Sequence, residues 1–145
     1  TALNGMVRDF PQWADAHFTK ALAHLGLGEN ELALASVGEA IKHNPRNSKY
    51  HTTLAFLHLR AQKFEDAKKE AAIALQLQPR NFPAALLFAR SVLMAKEYDN
   101  AVKILEDMRA KVPNNVEVVG SLGLAYVGKK EPGKALAAFR EVLKL

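Results

Sequence analysis

Residues 48–81 read SKYHTTLAFLHLRAQKFEDAKKEAAIALQLQPRN. Apolar residues recur three and four apart in two runs, which places them on one face of each of two helices. A polar connector at Lys63 separates the runs, short enough to join antiparallel helices. Pro79 ends the second run, because proline lacks an N–H and biases the preceding residue out of the α region. Asn81 follows, a residue type that caps the start of a helix. Outward from this stretch the pattern repeats in a 34-residue register: Pro11, Pro45, Pro79 and Pro113; Ala33, Ala67, Ala101 and Ala135; Ala21, Ala55, Ala89 and Gly123. Such a period marks a helical repeat array.

The register predicts first helices over 14–27, 48–61, 82–95 and 116–128, and second helices over 30–43, 64–77, 98–111 and 132–145. The small residues at Ala21 and Ala33, and at their repeats, fit points where two helices cross closely. Asn47-Ser48, Asn81 and Asn114-Asn115 supply N-caps. Gly26-Leu27-Gly28 reads as a helix stop and turn, not a phosphate cradle. The organisation expected is 1–12 as the second helix of a preceding unit, then units at 14–47, 48–81, 82–115 and 116–145, the last incomplete. No polar capping helix follows, which favours a longer parent array.

Composition narrows the function. Of 145 residues, 49% are hydrophobic, enough for a continuous core, and none is cysteine, which excludes disulfides and thiolate chemistry. No run approaches the roughly 18 apolar residues of a membrane span, so this segment is not expected to insert in a membrane. The net charge of +5 slightly favours acidic partners, but the basic residues are dispersed, with Lys68-Lys69 and Lys129-Lys130 the tightest clusters. Nucleic-acid binders concentrate their bases and interleave aromatics, so nucleic acid is disfavoured. No HExxH, GxSxG or glycine-rich phosphate loop is present, so the chain is read as a non-enzyme without cofactors. Compartment is not fixed by these residues.

The histidines repay a separate look. His17 and His24 are seven apart, as are His51 and His58. Seven residues along a helix span about 10.5 Å, whereas zinc ligands lie about 2 Å from one ion. Neither pair can therefore chelate along its helix, and the histidines read as packing residues with a polar tip. No metal site is expected.

In combination these positions resemble the tetratricopeptide repeat family. The second unit carries Leu54, Ala55, Phe64, Ala67, Ala74 and Pro79 on signature positions. The third carries Phe88, Ala89, Tyr98, Ala101 and Pro113, and the fourth Leu122, Gly123, Tyr126, Ala135 and Phe139. The first is looser, keeping Ala21, Gly28, Ala33, Ala40 and Pro45. The sequence departs from the family pattern where tryptophan is usual, with His17, His51, Ala85 and Val119, and also at Ala71, Met108 and Pro132. The resemblance implies an all-α, right-handed superhelical solenoid of antiparallel helix pairs, about four 34-residue units plus a leading helix.

It also implies a concave groove lined by the first helices that binds protein or peptide. Residues on groove positions are Phe18, Leu22, Lys49, Thr53, Phe56 and Arg60, then Leu86, Leu87, Arg90, Met94, Ser121 and Leu124. Chaperone-binding relatives hold a terminal carboxylate with a clamp of lysine, asparagine and arginine. Here Phe18, Leu22, Thr53, Pro83 and Leu87 occupy those sites, so the clamp is absent. An apolar, weakly basic groove suits an amphipathic segment with acidic residues on its rim. The alternative is a structural module of a longer array in a bacterial-type envelope, secretion or polysaccharide-export assembly, acting as a homo-oligomer through its ends or groove. Trp13 is expected to pack the leading helix against the first unit.

Overall fold

The computed structural model describes residues 13–145. The expectations for residues 1–12, including Pro11, lie outside the described residues. Among the described residues there are eight α-helices and no strand: α1 (Ala14–Gly26), α2 (Asn30–His43), α3 (Ser48–Arg60), α4 (Phe64–Leu77), α5 (Phe82–Met94), α6 (Tyr98–Lys111), α7 (Val116–Gly128) and α8 (Pro132–Lys144). Each falls within a residue of the range the 34-residue register predicts. No helix among the described residues is long and apolar enough to cross a membrane.

The helix ends repeat as the sequence chemistry requires. Before Pro45, Pro79 and Pro113 the backbone leaves the helical region: Asn44 at φ −143°, Gln78 at −144° and Val112 at −134°. The asparagine side chains then cap the next helix. Asn47 accepts from Lys49 N–H, Asn81 from Ala84 N–H and Asn115 from Val118 N–H. Trp13, at the corresponding place before α1, makes no such bond.

Inside each predicted unit the first helix closes through one left-handed residue, namely Gly28 (φ 76°), Gln62 (61°), Lys96 (65°) and Lys130 (60°). The N–H after it reaches back to the last turn: Glu29 to His24, Lys63 to His58, Glu97 to Val92 and Glu131 to Tyr126, at 2.9–3.1 Å. This is the Schellman closure, for which glycine is the usual residue. Three units accept the side-chain penalty of a non-glycine there, and only the first avoids it.

The chain divides into two compact units, one ending at Ala85 and one beginning at Leu86, so α5 contributes its first turn to one and the rest to the other. In the first unit α1 packs on α2, α2 on α3, and α3 on α4. Ala21, Ala33, Val37 and Leu57 form a buried cluster there, edged by Leu25, Leu34, Ile41 and Leu54. Ala21 and Ala33 are both fully buried in that cluster, as expected of small residues at a close crossing. In the second unit α6 packs on α7 and α7 on α8, around Leu105, Val118, Val119 and Leu122.

Candidate functional site

In the first unit a hollow of about 430 Å³ is lined by Phe18 of α1, by Lys49, Thr52 and Thr53 of α3, by Gln78, Arg80 and Asn81 of the α4–α5 connector, and by Phe82 and Pro83. Its wall is held by a polar relay. Ser48 Oγ donates to the Ala74 carbonyl at 2.9 Å, ending α4 against the start of α3. The Asn81 amide donates to Ser48 Oγ at 2.7 Å and to Thr52 Oγ1 at 2.8 Å, while its carbonyl caps α5. One asparagine therefore fixes the connector, the helix beside it and the helix after it. Polar groups joined in this way, part-buried around buried Ser48, make a rigid wall.

Phe18 is held from the other side. Its ring lies 4.8 Å from that of Tyr50, tilted by 41°, a separation typical of favourable aromatic pairs. Tyr50 is almost wholly buried and donates its hydroxyl to the Asp15 carboxylate. Burial first, then Asp15, pushes the phenol up to about 12.

Two exposed cations border the hollow, Lys49 and Arg80. Among the described residues neither is ion-paired, and no carboxylate lines the hollow. A cation left unpaired beside apolar rings can neutralise an acidic group brought by a ligand. On the same unit Leu22 is largely exposed, and Arg60 lies over the Phe56 ring at 5.6 Å, within cation–π range.

A roomier hollow in the second unit, about 540 Å³, is lined by Lys96, Glu97, Tyr98, Asp99, Asn100 and Lys129. Its charges are matched internally: Lys129 Nζ lies 3.0 Å from Asp99, whose hydrogen bond is the main cause holding the ammonium above its ordinary value. That leaves it less able than the hollow at Phe18 to recognise a charged ligand.

The expected groove residues separate into two kinds. Phe18, Leu22, Lys49, Thr53, Phe56 and Arg60 are half-buried or exposed, as are Arg90, Met94 and Leu124. Leu86, Leu87 and Ser121 are only 8% exposed and contribute packing rather than open surface. Arg80 was missed because it lies between helices, where apolar periodicity says nothing. A signal did exist, since Arg46 and Arg80 stand 34 residues apart. Trp13 is 49% exposed and lines a separate hollow with Asp15, Thr19, Asn44 and Tyr50. The leading helix it was expected to pack lies outside the described residues.

Residues 58–122 match the model of the tetratricopeptide repeat family. No curated protein sequence matches the chain. Among solved structures, a crystal structure of MamA protein superposes with a TM-score of 0.88 at 17% identity, covering 99% of this chain and 78% of that one. MamA from Desulfovibrio magneticus RS-1 superposes at 0.82 with 23% identity, over 90% of this chain and 74% of that one. A tetratricopeptide repeat protein from Parabacteroides merdae gives 0.85 at 18%, over 98% of this chain and 56% of that one. At these identities the likeness is one of fold. With the 34-residue register and its repeated caps, the match over 58–122 identifies tetratricopeptide repeats in this chain, and the solved structures share their fold.

Proposed function

We propose that this chain is a protein-binding scaffold whose first compact unit takes an amphipathic peptide or helix carrying acidic residues. The family's helix pairs are in general interaction scaffolds and not enzymes. The observation that supports the finer reading is the hollow beside Phe18, with Lys49 and Arg80 unpaired among the described residues. Apolar side chains of the ligand pack on Phe18, and its carboxylates meet the two cations. The ordered Asn81 relay lowers the ordering cost of binding.

Selection of peptides from a displayed random library on the intact chain tests this. Enriched sequences are expected to place aspartate or glutamate beside apolar residues. Lys49→Glu with Arg80→Glu is expected to weaken the selected peptides by at least about tenfold. Both residues are exposed, so the variant keeps its helicity, whereas aspartate at buried Leu86 would unfold the protein. Peptides without acidic enrichment, or equal binding by the variant, would overturn the reading.

Self-association is the second reading, supported by α8, where Leu143 is 86% exposed and Leu136 49%. Exposed apolar residues on one helix favour a covering partner. Sedimentation of the chain at increasing concentration is then expected to show a dimer that Leu136→Glu with Leu143→Glu abolishes. A species that remains monomeric throughout would sink it.

A further inference from the structure

His17 does not face His24. It lies on the inner side of α1, and its ring stacks on that of His43 at the end of α2, with centroids 5.5 Å apart and planes 13° from parallel. Glu39 stands one turn before His43 on the same helix, its Oε2 3.9 Å from His43 Nε2. One ligand atom from each of the three residues fits within a span of 4.8 Å. The antiparallel course of α1 and α2 brings the start of one helix beside the end of the other.

We propose that His17, Glu39 and His43 form a site for one divalent cation of the zinc type, clamping α1 to α2. Two ligands each about 2.1 Å from one ion at a tetrahedral angle stand roughly 3.4 Å apart. The Glu39–His43 separation is close to that, and the widest span closes by rotation of Glu39 and His43, both exposed residues. Two imidazoles and one carboxylate suit zinc and its neighbours rather than calcium or magnesium. The carboxylate offsets part of the ion's charge, and water completes the coordination.

The second hairpin provides an internal comparison. His51 stands 34 residues after His17, and its ring nitrogens meet the Glu70 carboxylate and the Pro45 carbonyl, each at 2.7 Å. The residues 34 after Glu39 and His43 are Ile73 and Leu77, which cannot ligate. The trio thus belongs to the first hairpin and is independent of the hollow at Phe18.

The test is calorimetric titration of the chain with zinc chloride, read beside histidine side-chain NMR. Wild type is expected to bind a single ion per chain, with the His17 and His43 resonances shifting and those of His51 unmoved. Glu39→Gln and His43→Gln, both at exposed positions, are each expected to weaken binding at least about tenfold. His24→Gln is expected to leave it unchanged. Equal zinc affinity in the Glu39 and His43 variants would overturn the proposal. So would a stoichiometry of half an ion per chain, which means an ion shared between copies, or a shift of His24 in place of His17.

Discussion

Raising the pH from 10 to 12 is expected to cost each compact unit about 2 kcal/mol through one tyrosine. Tyr50 in the first unit and Tyr126 in the second are both buried. Each phenol is pushed up to about 12, first by burial and then by its carboxylate partner, Asp15 for Tyr50 and Glu106 for Tyr126. The Tyr126 hydroxyl donates to Glu106 at 2.7 Å. The folded state therefore holds the phenolic proton more tightly than the unfolded state. The resulting stability is fully present below the unfolded value of 10.0 and is lost as pH rises through the folded value. Urea midpoints across this interval, with phenolate absorbance followed in parallel, measure the effect. The control is Tyr50→Phe with Tyr126→Phe, which should lose markedly less. An equal loss in that variant would show that the tyrosines are not responsible.

Gly123→Ala is expected to destabilise the second unit by about 1–3 kcal/mol, although alanine is the better helix former. A Cβ on Gly123 would lie 2.6 Å from a ring carbon of Phe139, with two more ring atoms at 2.8 and 2.9 Å. In the other three units the same register position is Ala21, Ala55 or Ala89, each fully buried. The α7–α8 crossing thus places an aromatic ring where the others place a methyl group. Removing the ring should reverse the sign. In a Phe139→Leu background, Gly123→Ala is expected to be neutral or stabilising, up to about 1 kcal/mol from helix propensity. A double-mutant cycle by urea denaturation reads the coupling. Additive effects would mean the ring moves aside without cost.

Most of the fold was legible because each repeated position answers to a local rule. Proline stops a helix through its own ring, asparagine caps through its own side chain, and apolar spacing assigns a face. These effects act within about one turn, so they can be read without knowing what lies across the core. The left-handed turn at Gln62, Lys96 and Lys130 was less legible, since none is the glycine that normally announces it. There the pull of the Schellman hydrogen bonds outweighs the residue's own preference.

The candidate surface was only half legible. Position in the register identified Phe18, Lys49 and Thr53, but Arg80 lies in a connector that carries no helical period. Burial of Leu86, Leu87 and Ser121 depends on neighbours from elsewhere in the chain, which no helical period names. The histidines show the difference most clearly. Spacing along α1 places His17 and His24 about two turns apart, a distance that follows from helix geometry alone. It could not foresee His43, twenty-six residues away in sequence and stacked on His17 in space. By itself the sequence determined where helices start, stop and bury their small residues, since short-range backbone chemistry governs those events. Only the tertiary structure decided which side chains from different helices share one small volume, because that rests on how the helices pair.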